Sequence, residues 1–468
     1  YDAAGRPVAE IDAEGHRTTS IYDADNRQAA VIDSNSHRNT LVYDSAGRNT
    51  VKIDPLDRRV TYAYDGAGNQ TVKADARGNR ITFSYDAVNS LVGQRYPDAT
   101  RYTYTYDEVG NRTLMADPTG RTTYTYTARN EMVSAAKPDD KTITYAYDAL
   151  GRRQTMADPD AGLFTYTYDA GSRLTGLVNP QDEITTIGYD ALGRMVDQRL
   201  GNGNLTTQVY DAAGRTTGVA NARSSDGRVM SRFTYTYDRA GNRTAMTRLA
   251  DWDIIDLQRT TWTYDKTYQL TREDATMRVF GGVYPMFNAT FTYDPVGNRL
   301  LQQELISFPV PIPASTTTYA YDAANELKTE ETAGGVTTYS YDADGNRTLK
   351  QSVSQRTTYT WDANNRLIEA EPSGASPVTF TYNAAGKRLG KQTTAADKKF
   401  IYDGNRLLQE TDASDSTQKL YTSTNQGYGD LVSEHAPGGT SLYHLYDALG
   451  STDRLLDENE TQQTSTCT

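Results

Sequence analysis

Side chains suited to chemistry are scarce in these 468 residues: four histidines, His16, His37, His435 and His444, and one cysteine, Cys467. A zinc site needs three or four closely spaced ligands, and His435 and His444 have no such set around them. Cys467 has no partner for an internal disulfide, and nothing beside it would depress its thiol pKa. "DADGN", with Asp342, Asp344 and Asn346, has the opening of a calcium loop, but the Glu that should close such a loop is missing downstream. No nucleophile elbow, phosphate loop or HExxH occurs. The expectation is a protein that is not an enzyme, with no cofactor and no metal.

The recurring charged residues have a plainer use. Asp2 and Arg6, Asp44 and Arg48, and Asp148 and Arg152 each stand four apart. Such residues are expected to pair within or between adjacent turns, contributing about 0–1 kcal/mol each when exposed, and read as devices for register and solubility.

The elements that position them follow from a period. A Tyr opens each motif at positions 1, 22, 43, 64, 85, 106, 126, 147, 168, 189 and 210, and the series continues more loosely to Tyr446, with Trp361 replacing Tyr once. The repeat-defining residues are Tyr1, Asp2 and Gly5; Tyr43, Asp44 and Gly47; Tyr64, Asp65 and Gly68; Tyr106, Asp107 and Gly110; and Tyr147, Asp148 and Gly151. The same set recurs as Tyr189, Asp190 and Gly193; Tyr210, Asp211 and Gly214; Tyr237, Asp238 and Gly241; Tyr341, Asp342 and Gly345; and Tyr446, Asp447 and Gly450.

In Asp-x-x-Gly the carboxylate can accept a backbone N–H two residues on, and Gly supplies the positive φ of a short hairpin loop. Four residues after the opening aromatic, twelve of twenty motifs carry Gly and five carry Asn, the residue that best tolerates that conformation after Gly. Ser172, Tyr268 and Arg406 depart from the pattern. A second turn signal falls midway, as in "ADARGNR" and "ADPTGRT", so each unit holds two strands and two turns.

In "RYTYTYDEVGNRT", Tyr102, Tyr104 and Tyr106 fall on one face of a strand and Thr103 and Thr105 on the other. Polar groups on both faces predict a sheet wetted on both sides. Half a period per strand gives roughly 45 strands, far beyond the ten or so that an open twisted sheet holds. The fold class expected is all-β: a long antiparallel hairpin-repeat array that coils as a spiral into a hollow shell or part of one.

Composition agrees with an array. Apolar residues make up 37% and net charge is −12, while the regular register argues against disorder. Dispersed Lys and Arg on an acidic chain exclude a nucleic-acid groove. No run of 18 apolar residues would make a membrane-spanning helix. Spacing divides the chain into regular repeats at 1–210, longer-period repeats with insertions at 211–320, regular repeats at 321–410 and a distinct segment at 411–468. Within the insertions, Tyr284, Met286 and Phe287, or Phe308 to Pro313, would dock a partner or plug an opening; a locally thicker core is the favoured alternative.

The motifs "YDAAGR", "YDALGR" and "YDADGNR" on a period near 21 resemble the YD repeats of the Rhs family, which includes bacterial polymorphic-toxin shells, Tc-toxin shell components and the animal teneurins. "SLYHLYDALGSTDRLLDENE" is similar to the start of an Rhs-associated core. The resemblance implies a cocoon of β-sheet enclosing the protein's own C-terminal toxin or effector, with secretion machinery as a further partner and a secreted or cell-surface bacterial location. It also implies that the chain is a piece of a longer protein. Self-cleaving members use an Asp-containing DPxG-like segment; Asp54-Pro55, Asp117-Pro118, Asp158-Pro159 and Asp294-Pro295 lie in repeat turns, and none is assigned that role.

A second reading is an adhesin or carbohydrate-binding array with glycans as partners, for which only Trp252, Trp262 and Trp361 are available as Trp platforms. A propeller of 42-residue blades would need odd and even repeats that differ, and consecutive repeats here are alike.

Overall fold

The computed structural model describes residues 1–250, 257–279, 282–308, 310–424 and 430–463; Trp252 and Cys467 lie outside them. Among the described residues, 42 strands join in one antiparallel sheet, and the only helical element is a single short turn at Pro138–Asp140. The all-β expectation holds.

One period shows why. The strands Leu163–Tyr168 and Leu174–Val178 alternate large and small side chains, and the turn at Asp169 joins them. A second turn at Asn179 then leads into Ile184–Tyr189. Pairing breaks register just before the motif aromatic, between Thr167 and Tyr168 and again between Ala146 and Tyr147. A bulge of this kind adds a residue to the partner strand and sharpens the local twist. Where the period lengthens, the additional residues extend strands: Val229–Tyr237, Leu270–Val279, Gly282–Tyr293 and Ile312–Tyr321. Tyr284 and Ile312 are exposed and Met286 and Phe287 only half-buried, whereas Met230 and Met277, on two of the same lengthened strands, are fully buried.

Contacts divide the chain into two compact units, one of residues 1–105, 262–274 and 285–381, the other of 106–261, 275–284 and 382–468. In the second unit Ile143, Tyr145, Phe164, Tyr166 and Ile187 form a dry cluster with Ile401, Leu408 and Leu420. A sheet wetted on both sides is therefore incorrect here. Tyrosine carries a large apolar ring, and alternating it with Ile and Phe makes one face apolar. The first unit does the same at Tyr102 and Tyr104, each 6% exposed, whereas Thr103 and Thr105 point into solvent.

Candidate functional site

The chemistry-bearing residues of the repeats build a ladder of turns. Asp2, Asp44, Asp65, Asp107, Asp148, Asp190, Asp211, Asp238, Asp342 and Asp447 each accept, on Oδ1, the amide four residues on at 2.8–3.0 Å. Gly5, Gly47, Gly68, Gly110, Gly151, Gly193, Gly214, Gly241, Gly345 and Gly450 all have φ between 75° and 97°. Gly151 is representative: its N–H donates to the Asp148 carbonyl at 3.0 Å, which closes the turn only with φ positive.

The exceptions are informative. Asn26, Asn89, Asn130, Asn325 and Asn365 take the left-handed conformation, and so do Ser172 and Tyr268. Arg406 does not. Its turn is shorter: Asp403 pairs directly with Arg406, and Gly404, at φ 57°, carries the reversal.

Each motif also grips its neighbour. The hydroxyls of Tyr43, Tyr64, Tyr147, Tyr189, Tyr210, Tyr237, Tyr341 and Tyr446 donate to a carbonyl of the preceding repeat at 2.5–2.9 Å. Trp361 does likewise with its indole N–H, 2.8 Å from the Arg347 carbonyl. In the opposite direction, Arg152 donates Nε to Asp148 Oδ2 at 2.6 Å and Nη1 to the next motif's Asp169 carbonyl at 3.1 Å, and its guanidinium lies 4.8 Å over the Tyr168 ring. Arg6, Arg27, Arg48, Arg173, Arg194 and Arg215 cover the following tyrosine at 4.6–4.9 Å. These arginines therefore act both within a turn and between adjacent turns, as the four-residue spacing of the Asp–Arg pairs led one to expect.

The five left-handed asparagines have a second use. Their Oδ1 atoms accept from the residue five past the preceding aromatic: Arg6 to Asn26 at 2.7 Å, Asn69 to Asn89 at 2.8 Å, Asn111 to Asn130 at 3.0 Å, Asn298 to Asn325 at 2.9 Å and Asn346 to Asn365 at 3.0 Å. The signal stands in the sequence, since four of these five Asn follow a motif ending in Asn.

These hydrogen bonds set the electrostatics. The Arg48 amide, then against the cost of burial its guanidinium, holds Asp44 below its ordinary 3.8, and Arg194 does the same for Asp190.

Within each unit, segments far apart in sequence meet through the mid-repeat turns. In the first, Arg77 reaches Asp344 at 2.6 Å, Asp75 at 3.2 Å and Asp342 at 3.3 Å, and Tyr96 Oη meets the Asn364 amide at 3.0 Å. The carboxylates of "DADGN" thus bind a guanidinium. Burial, then the neighbouring Asp75, raises the pKa of Asp344. In the second unit, Arg153 grips both oxygens of Asp403 at 2.5 and 3.2 Å, and the Tyr145 hydroxyl donates to Asp403 at 2.9 Å. Burial, then Asp403, pushes the Tyr145 phenol up. Lys137 donates to the Tyr402 carbonyl, and burial lowers its ammonium to about 8. Every group in this cluster is tied to another, which suits a structural clamp.

The histidines stay apart. His16 and His37 take the place of the turn arginine beside Asp12 and Asp33, His435 meets Ser441 Oγ at 3.1 Å, and His444 stacks on Tyr446 with its pKa lowered by burial. No group of three or more metal-ligating side chains occurs among the described residues.

Comparison with known proteins accords with this geometry. The chain is similar to the crystal structure of TcdB2-TccC3, at 16% identity and TM-score 0.70 over 99% of this chain and 32% of that one. It is similar to TcdB2-TccC3-TEV at 17%, with TM-score 0.71 over 99% and 30%. The Photorhabdus luminescens Tc holotoxin pore matches at 16%, with TM-score 0.54 over 99% and 31%. At these identities the likeness is one of fold, and this chain spans about a third of the length of those it matches. Comparison with curated proteins gives no match. The Teneurin YD-shell model matches residues 1–372. With its period, its turns and its sheet all of that kind, the chain belongs to the Teneurin YD-shell family and is a structural segment of a repeat shell.

Proposed function

We propose that this segment serves as a wall around a polypeptide, the protein's own C-terminal toxin or effector, in a secreted bacterial toxin. The observation that carries the reading is the use of the repeat side chains: Tyr hydroxyls, Asp carboxylates and Arg guanidinia are spent on neighbouring repeats. Such bonding ties neighbouring repeats into a continuous sheet. The glycan-binding reading gains little from it, since the rings of Tyr22, Tyr43, Tyr64, Tyr168, Tyr189, Tyr210 and Tyr237 are covered by arginine and the Trp361 indole N–H is engaged.

Small-angle X-ray scattering tests the wall. A pair-distance distribution skewed to long distances, with a radius of gyration clearly above the roughly 23 Å of a compact globule of this length, is expected. A compact solid profile would overturn the reading.

A further inference from the structure

We propose that Asp75 and Asp344 share one proton and work as a pH-sensitive latch between residues 73–80 and 341–347, two stretches of the first unit far apart in sequence. The latch holds best with that proton in place and loosens as pH rises toward neutral. Asp344 is surplus to its own turn. The reversal is closed by Asp342, whose Oδ1 accepts the Asp344 and Asn346 amides at 2.9 Å. The corresponding place is Ala4, Ala46, Ala67 and Ala213 in other motifs, and the side chain of Asp25 at that place is 72% exposed. The Asp344 carboxyl turns away from water instead, its Oδ1 accepting the Ala76 amide at 2.8 Å and its Oδ2 accepting Arg77 Nε at 2.6 Å.

Asp75 comes from the mid-repeat turn that meets it. Its Oδ1 accepts the Asn79 amide at 2.7 Å, and its Oδ2 accepts Asn79 Nδ2 at 2.9 Å and Arg77 Nη2 at 3.2 Å. The Asp75 and Asp344 side chains are 4% and 3% exposed. They also hydrogen-bond each other, and two carboxylates offer only acceptors, so a proton lies between them. The surrounding charges favour it. Arg77 also meets Asp342 at 3.3 Å and the Asp362 carbonyl at 2.8 Å. Arg58 is taken by Asp54 and by Glu326, which lies beside Asp322, and it reaches Asp342 only at the carbonyl, at 3.4 Å. One guanidinium therefore serves three carboxyls, and two buried carboxyls in contact do not both ionise cheaply.

The sign of the pH dependence follows from the two partners. Burial, then the Asp75 hydrogen bond, raises the pKa of Asp344; against the cost of burial, the hydrogen bonds of Asp344 and Asn79 hold Asp75 below its ordinary 3.8. Stability from the Asp344 proton is full below 3.8 and is lost as pH rises through its higher folded value. Stability from ionised Asp75 is full above 3.8 and is lost as pH falls through its lower folded value. The pair is thus tightest with one proton and slackens on either side. The YD-turn carboxylates of Asp44 and Asp190 have only the second dependence. The latch rests on these side chains alone and holds whatever the wall encloses.

Native-state hydrogen exchange of the whole chain, corrected for intrinsic exchange, tests this between about pH 4 and about pH 7. Protection of the amides in Gln70–Ala74, Arg80–Tyr85 and Arg347–Gln351 should fall roughly threefold or more as pH rises. That of Met195–Arg199, beside the Asp190 turn in the second unit, should hold or rise. Asp344→Asn, which replaces the proton by a fixed amide donor, should keep the acid level of protection at neutral pH. Asp344→Ala, the residue of other motifs at this place and so compatible with the turn, should give the low level throughout. Parent protection that is flat or rises with pH at this seam, or an Asp344→Asn chain that loses protection as the parent does, would overturn the proposal. An infrared band of a protonated carboxyl, present in the parent over this range and missing from Asp344→Ala, reads the proton directly, and identical spectra would overturn the proposal as well.

Discussion

If the ladder holds neighbouring repeats together, Arg152 and Tyr168 should be energetically coupled although they belong to different motifs. Tyr168→Phe removes one hydrogen bond, to the Arg153 carbonyl at 2.9 Å, at a net cost of about 1 kcal/mol. Arg152→Ala removes the bond to Asp148, the bond to the Asp169 carbonyl and the ring contact at 4.8 Å, for about 2 kcal/mol in all. The ring contact alone is shared by both side chains, so a cycle of Arg152→Ala and Tyr168→Ala should give a coupling of about 0.5–1 kcal/mol. Because each repeat touches mainly its neighbours, the loss should be local. Native-state hydrogen exchange of the amides in Arg153–Ala157 and Leu174–Val178 measures it, with urea unfolding as the global check. A coupling of zero within error, or Tyr168→Phe without effect on those amides, would refute the ladder as a source of stability.

Three further outcomes are expected. The motif carboxylates of Asp23, Asp44, Asp169, Asp190 and Asp211 lie below 3.8, mainly through the amide of the following arginine. The folded chain therefore binds fewer protons than the unfolded chain near pH 4, so stability present above that pH is lost as pH falls through the lower folded values, which circular dichroism against pH will show. Ala99 sits at φ 67°, and Ala99→Gly should raise stability by about 0.5–1 kcal/mol in urea unfolding, relief of the left-handed strain outweighing the added chain entropy. Asp403→Ala should cost about 3 kcal/mol by leaving Arg153 unpaired in a half-buried site, whereas Asp274→Ala, which breaks the more exposed pair with Arg272, should cost less than about 1 kcal/mol by the same assay.

The turns are legible in the sequence because their causes are local. Asp148 to Gly151 carry their own geometry, and Asn in place of Gly marks the same backbone conformation. The grip of Arg152 on Tyr168 is less visible, because the partner is 16 residues away and Asp148 offers a nearer one. Arg153 differs from Arg152 only by parity along the strand, which sends it to the buried face and to Asp403; nothing local names a partner 250 residues on. The dry face was hidden by counting tyrosine among polar groups, although Tyr166 sits in the same cluster as Phe164 and Leu177. At Arg406 a fixed spacing failed where the loop itself had shortened.

From Arg77 to Lys137 the meetings between distant turns keep a nearly constant offset, with Arg77 to Asp344 and Asp117 to Ala384 267 residues apart and Lys137 to Tyr402 265, before it shortens to 250 at Arg153 and Asp403 and 213 at Tyr235 and Ala448. The molecule therefore carries a ruler. Unequal recombination, to which tandem repeats are prone, could remove one 21-residue unit and leave both cut ends able to join, since any Arg of the series fits any Tyr. The offset would nonetheless shift by one station. Lys137 would then face a different turn, and Arg153 would lose Asp403. Repeat number in such a chain is thus set less by the interchangeable units than by the few residues that recognise a particular partner far along the chain.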